Sequence, residues 1–161
     1  MLITGDMLVC HLVGDYLLQS DWMATNKTKS SWPCLAHAFT YAIPFLFLTQ
    51  SPWALATIIS THFIIDRWRL ARYLCWAKNL LAPKWIEVPV CTCQKMKDKY
   101  KEDDFECSRC GETKLIRSYP WKDCSVTGYP SNRPAWLTVW LMIFTDNTLH
   151  LIINGLALKW F

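Results

Sequence analysis

Three pairs of a histidine and an aspartate, four residues apart, lie inside otherwise apolar runs. They are His11 with Asp15, His62 with Asp66 and, in reverse order, Asp146 with His150. Residues four apart on a helix share a face, with Cβ atoms about 5–6 Å from each other. Each pair therefore draws a polar stripe on a greasy helix, and Gln19 extends the first stripe by one turn. Ionisable groups are costly in apolar helices and by default face the interior of a bundle, where they have a task. The apolar segments must then pack so that these stripes meet.

The distribution of charge strengthens the signal. Of 13 acidic residues, eight lie between Lys78 and Arg133, together with 11 of the 17 lysines and arginines. The other five acids are Asp6, Asp15, Asp21, Asp66 and Asp146, and three of them stand four residues from one of the chain's four histidines. A composition that is 52% hydrophobic, with ten tryptophans, excludes a disordered chain. The length of 161 residues suits one domain with a small insert. No secretory signal is expected, because the N-terminus lacks a basic stretch and its apolar run carries His11 and Asp15.

Four apolar segments follow in order. Residues 2–18 are short for a full span, which needs about 20 residues. Residues 20–33 read as a polar loop with a short surface helix around Trp22 and Met23. Residues 34–48 form the second segment, with His37 and Tyr41 four apart and Pro44 expected to kink it. After a turn at 49–52, residues 53–76 form the third segment, which turns basic at Arg67, Arg69 and Arg72. Residues 78–133 are a polar excursion, and residues 136–158 form the fourth segment. The expected fold is all-α: a four-helix transmembrane bundle with helices 1–3 in residues 1–76, a cytoplasmic loop at 77–135 and the last helix in 136–161. Tryptophans at the segment ends resemble interfacial belts. A soluble four-helix protein is the competing architecture.

The lysines and arginines set an orientation. The loops after segments one and three are basic and the turn at 49–52 is not, so both basic loops face the cytoplasm and both termini lie outside. Asp15, His37 and Asp66 then sit toward the cytoplasmic ends of their segments. Asp146 lies about 15 Å into its own, at 1.5 Å per residue. The polar groups converge on one level, in the half of the membrane reached from the cytosol. Segments one and two repeat the order of segments three and four, a helix with a His/Asp pair followed by a helix with a histidine, although the two halves share little sequence.

Imidazole and carboxylate four apart can chelate one ion, and several helices each offering inward ligands can hold two. The candidate ligands are His11, Asp15, His37, His62, Asp66, Asp146 and His150. Seven exceed the needs of one tetrahedral ion, so either one or two divalent ions, with a catalytic base chosen from Asp15, His62, Asp66 and Asp146, satisfy the pattern. Buried ion pairing without metal is the alternative reading. Gln19, Tyr41 and Asn147 are expected to hydrogen-bond around the ligands. Arg67, Arg69 and Arg72 at the mouth could attract a phospholipid headgroup, or simply anchor the helix at the membrane surface.

Cys91-Thr-Cys93 is followed after 13 residues by Cys107-Ser-Arg-Cys110-Gly111. Two close cysteine pairs across a short polar stretch are the pattern of a four-cysteine structural zinc, here within a ribbon at 90–114. A reduced thiolate site agrees with a cytoplasmic loop. Such a site presents a surface to a partner, and the interleaved acids argue against nucleic acid. Cys124 is a spare ligand at most, and Cys10, Cys34 and Cys75 read as buried apolar thiols.

The string from His11 to Ala24, with His37 and Tyr41, His62 to Asp66, and Asp146 to His150, resembles the domain-of-unknown-function family numbered 3307, small integral membrane proteins of bacteria and phages. The resemblance implies a multi-helix protein of the bacterial inner membrane and brings no established activity with it. The cysteine insert is an addition to that pattern. The leading expectation is an intramembrane metal site that hydrolyses a lipid or lipid-linked ester or phosphoester. The alternatives are a phage-type membrane protein that binds a host partner through the zinc ribbon, and a conduit for metal ions or protons.

Overall fold

The structure is a computed structural model that describes residues 3–79, 86–89, 113–116, 120–130 and 133–161. These residues are helical apart from one antiparallel strand pair. They divide into two compact units, one of residues 1–71 with 143–161 and one of residues 72–142.

In the first unit, α1 (Gly5–Leu12) starts at Thr4, whose hydroxyl accepts from the Met7 amide, and continues into a π-helical turn, Val13–Leu17. π-turns cluster at functional sites, and this one carries Asp15. The short surface helix around Trp22 and Met23 is α2 (Asp21–Asn26), capped by Ser20. Then α3 (Ser31–Ala42) tightens into a 3₁₀ turn, Ile43–Phe47, where Pro44 removes an amide donor. Ser51 caps α4 (Pro52–Trp68), with Pro52 at the first helical position.

The expected third segment, 53–76, is not one helix. Arg69 takes the left-handed conformation (φ 50°, ψ 54°) and ends α4, and α5 (Leu70–Asn79) begins afresh. This conformation is the usual way to close a helix, here without the usual glycine. The last helix, α7 (Ala135–Trp160), runs 26 residues, about 39 Å. Among the described residues it is the one helix long and apolar enough to cross a membrane, and 11% of its apolar stretch is buried.

The first unit buries ionisable groups and exposes large apolar side chains. His11, His37, His62, His150 and Asn154 are almost wholly buried. A small apolar core of Met7, Cys10, Tyr41, Phe45, Ile58 and Ala157 lies among them. The outer surface shows Val9, Leu17 (78% exposed), Phe39, Phe47 (89%), Trp53 and Phe144. Large apolar side chains exposed in such number suit contact with another protein or a membrane.

In the second unit, β1 (Ile86–Pro89) pairs with β2 (Thr113–Ile116), with Pro89 opposite Thr113. The ladder brings together the two ends of the cysteine stretch. Cys91, Cys93, Cys107 and Cys110 themselves lie outside the described residues. A short helix, α6 (Trp121–Cys124), stacks Trp121 on Tyr73 of α5. Cys10, Cys34, Cys75 and Cys124 are buried.

Candidate metal centre

Four helices and one loop of the first unit build the site. The π-turn brings Asp15, α3 brings His37, α4 brings His62 and Asp66, and α7 brings Asp146 and His150. One atom each from Asp15, His37, His62 and Asp66 lie within 4.8 Å of one another. His37 Nε2 is 3.0 Å from His62 Nε2, 3.2 Å from Asp15 Oδ1 and 3.3 Å from Asp66 Oδ2. His62 Nε2 is 3.5 Å from Asp15 Oδ1 and 3.3 Å from Asp66 Oδ2. Ligands about 2.0–2.1 Å from a tetrahedral ion stand roughly 3.3 Å from one another. The observed separations match the edges of such a tetrahedron. Two ring nitrogens and two carboxylate oxygens at this range could hold one cation.

A second group shares Asp66. Its other oxygen, Oδ1, is 3.4 Å from His150 Nε2, which is 3.6 Å from Asp146 Oδ2. The three ligand atoms again lie within 4.8 Å of one another. Six of the seven expected ligand residues thus meet in two adjoining groups.

His11 stands outside both. Asn154 Nδ2 donates to the Tyr41 hydroxyl at 2.5 Å, which frees the phenol proton for His11 Nδ1 at 2.7 Å. His11 then carries its own proton on Nε2 and donates to Asn147 Oδ1 at 3.0 Å. Both ring nitrogens are spent, and Asp15 Oδ2 lies 3.6 Å away. Tyr41 in turn stacks on His62, with ring centroids 3.7 Å apart, and His62 on His150, 4.2 Å apart. The Nδ1 atoms of His37 and His62 are buried without a hydrogen-bond partner among the described residues. Stacking therefore sets the His62 ring. Tyr41 and Asn147, expected to hydrogen-bond around the ligands, both bond to His11. Gln19 Oε1 is buried without a hydrogen-bond partner among the described residues.

Lys27 enters the site from the loop after α2. Its ammonium lies 2.8 Å from Asp66 Oδ2 and 3.5 Å from His37 Nε2. Burial opposes the charge, but the Asp66 carboxylate prevails and raises the lysine above its ordinary pKa. Arg67 fixes the loop by donating to the carbonyls of Thr28 and Lys29 and to the Ser31 hydroxyl. In the second unit Arg72 donates to the Ser125 carbonyl and lies over the rings of Tyr73 and Trp121. The structure thus engages Arg67 and Arg72 in packing, and it assigns Arg69 the helix-ending turn.

The Lys27→Met protein should lose about 1.5–3 kcal/mol when metal-free, because a buried carboxylate loses its charged partner. The sign of the lysine shift fixes the pH window. A raised folded-state pKa stabilises below the ordinary lysine value, and that stabilisation is lost only as pH rises through the raised one. The deficit should therefore stay constant from about pH 6 to pH 9, as checked by unfolding in mixed micelles across that range.

Comparison with known proteins gives one family match. Residues 3–86, more than half of the chain, match the family described as Protein of unknown function (DUF3307). The matched region holds Asp15, Lys27, His37, His62 and Asp66, and Asp146 and His150 lie beyond it. Neither the curated proteins nor the solved structures include a match to the chain.

Proposed function

The chain belongs to the DUF3307 family, and from its buried His/Asp centre we propose that it is a membrane-embedded, metal-dependent hydrolase of a lipid or lipid-linked ester or phosphoester. The observation that carries this reading is the convergence of six His and Asp residues in two adjoining groups, inside a unit that exposes large apolar side chains. Imidazole with carboxylate favours zinc, manganese or iron over soft-ligand metals. An ion held there would supply polarisation of a phosphoryl or carbonyl oxygen and a lowered pKa for bound water. In the hydrolysis, the water oxygen bonds to phosphorus, the bond from phosphorus to the leaving oxygen breaks, and the water proton ends on the leaving group. Lys27 supplies a fixed positive charge beside the reacting group. Asp146, with 29% of its side chain exposed, marks the side from which water and substrate arrive.

Membrane embedding is supported by the length of α7 and by the large apolar side chains that the first unit exposes. α4 has 17 residues, and α3 with its 3₁₀ turn has 12 and 5, each at the short limit for a span. The shorter α1 with its π-turn enters the bilayer only in part. The whole is then a multi-pass bundle of the inner membrane, with both basic loops cytoplasmic. The test is phosphate release from phosphatidic acid, and fatty-acid release from a diacyl lipid, by protein reconstituted into vesicles. Turnover should need added zinc or manganese and vanish in His62→Ala. Metal-loaded protein that turns over neither lipid would refute the assignment.

We further propose a structural zinc on Cys91, Cys93, Cys107 and Cys110, with β1 and β2 as the stem of its ribbon. The pairing of Pro89 with Thr113 supports it by drawing the flanks of the cysteine stretch together. Zinc bound to four thiolates has no open position and serves folding. Cys91→Ser with Cys110→Ser should cost one equivalent of zinc and leave the histidine-dependent metal untouched, as read by elemental analysis.

A further inference from the structure

We propose that the Asp66 carboxylate bridges two cation positions and that the second, made by Asp66, Asp146 and His150, fills together with a phosphate-type anion. This rests on metal binding at the first position. The four-residue group offers an ion one atom each from Asp15, His37, His62 and Asp66. That completes a tetrahedral shell, and closed shells are structural, whereas catalytic ones keep a position open. A four-coordinate ion there would have no open position, so substrate would be received at a second ion. The second group supplies three ligands and leaves the rest of the shell vacant.

The carboxylate is already divided between the two positions. Oδ2 faces His37 and His62, and Oδ1 faces His150. Paired hydrolytic ions stand about 3.5–4 Å apart, the span that one bridging carboxylate covers. Exposure singles out the same side. The Asp146 side chain is 29% exposed, against 10% for Asp15, 3% for Asp66 and 0–1% for the three histidines. The open position and the access to solvent coincide.

Charge sets the order of filling. Asp15, Asp66 and Asp146 carry three negative charges, and Lys27 offsets one of them. One divalent ion balances the remaining two. A second would bring two uncompensated positive charges into apolar surroundings, which is costly without a counter-charge. A phosphate monoester supplies that charge, together with oxygens for the vacant positions. A neutral carboxyl ester supplies neither, so the site favours a phosphate group over an acyl ester.

The test is a titration of full-length protein with manganese, which leaves zinc on the thiolates. It is run in detergent with and without inorganic phosphate, and in phosphatidylcholine vesicles with and without phosphatidic acid. One manganese should bind without the anion and a second with it, and the pair should give a spin-coupled paramagnetic resonance spectrum. Response to inorganic phosphate means that a free phosphate group suffices, and response to phosphatidic acid alone means that a headgroup delivered from the bilayer is needed. Asp146→Ala should keep the first manganese, which also reports its folding, and lose the second. Asp146→Asn, which keeps the side-chain shape, should weaken the second at least tenfold. A second ion that binds equally well without anion, that binds under no condition, or that persists unchanged in both variants would overturn the proposal. Loss of the first ion from wild-type protein would instead overturn the hydrolase reading on which it rests.

Discussion

Asp66→Ala is expected to strip the protein of its histidine-bound metal at both positions and to cost about 3–5 kcal/mol of stability in the metal-free state. No other residue carries so much of the site. Asp66 Oδ2 stands within 3.3 Å of His37 and His62 and 2.8 Å from the Lys27 ammonium, and Oδ1 is 3.4 Å from His150. Its side chain is 3% exposed. Removing it takes the nearest carboxylate from the half-buried Lys27 ammonium and leaves Asp15 and Asp146 to balance the charge. Metal affinity should fall by more than the 10–100-fold usual for loss of an outer-shell partner, because a direct ligand is lost. Unfolding in mixed micelles and metal titration measure the two effects separately. A variant of near wild-type stability that still bound metal would show that Asp66 is peripheral.

Gly14→Ala should be nearly as damaging, although it adds one methyl group and removes no ligand. A Cβ at Gly14 would stand 2.6 Å from Tyr41 Cδ2, 2.8 Å from the Tyr41 carbonyl oxygen and 3.1 Å from its Cα. Two of those three atoms are backbone, so rotation of the Tyr41 side chain cannot relieve the contact. The π-turn and α3 must separate. Overpacking of this kind costs about 1–3 kcal/mol, and the backbone contacts place Gly14 at the upper end. Separation would also pull Asp15 away from His37 and weaken metal binding by about 10–100-fold, as displacement of a ligand's support does. This accounts for a glycine between His11 and Asp15, where a helix would favour alanine. Gly14→Ala that bound metal with wild-type affinity would contradict the packing described.

How much of this was legible in the sequence depended on distance along the chain. The four-residue spacing of His62 and Asp66 fixed their shared face, and spacing alone also marked Asp15, Asp146 and His150. Helical periodicity is local, and it survives into the structure. His37 carried no paired carboxylate, yet its place on an apolar segment near Tyr41 put it among the candidates. The role of His11 was not legible, because the Tyr41 phenol and the Asn147 amide that occupy it lie 30 and 136 residues away. Nor was Lys27, which looked like an ordinary charge of a basic loop. Its approach to Asp66 spans 39 residues and depends on Arg67 holding the loop. The break at Arg69 was hidden for another reason. Left-handed helix ends usually announce themselves with glycine, and this one does not.

The claim at the centre of this account is that the His/Asp residues form a metal site and do not merely neutralise one another. Elemental analysis of purified full-length protein tests it most directly, comparing wild type with the His62→Ala, Asp66→Ala double variant. Wild-type protein should carry more metal than the single zinc of the cysteine stretch, and the excess should disappear in the double variant while the zinc remains. One equivalent of metal in wild type, unchanged in the variant, would contradict the account.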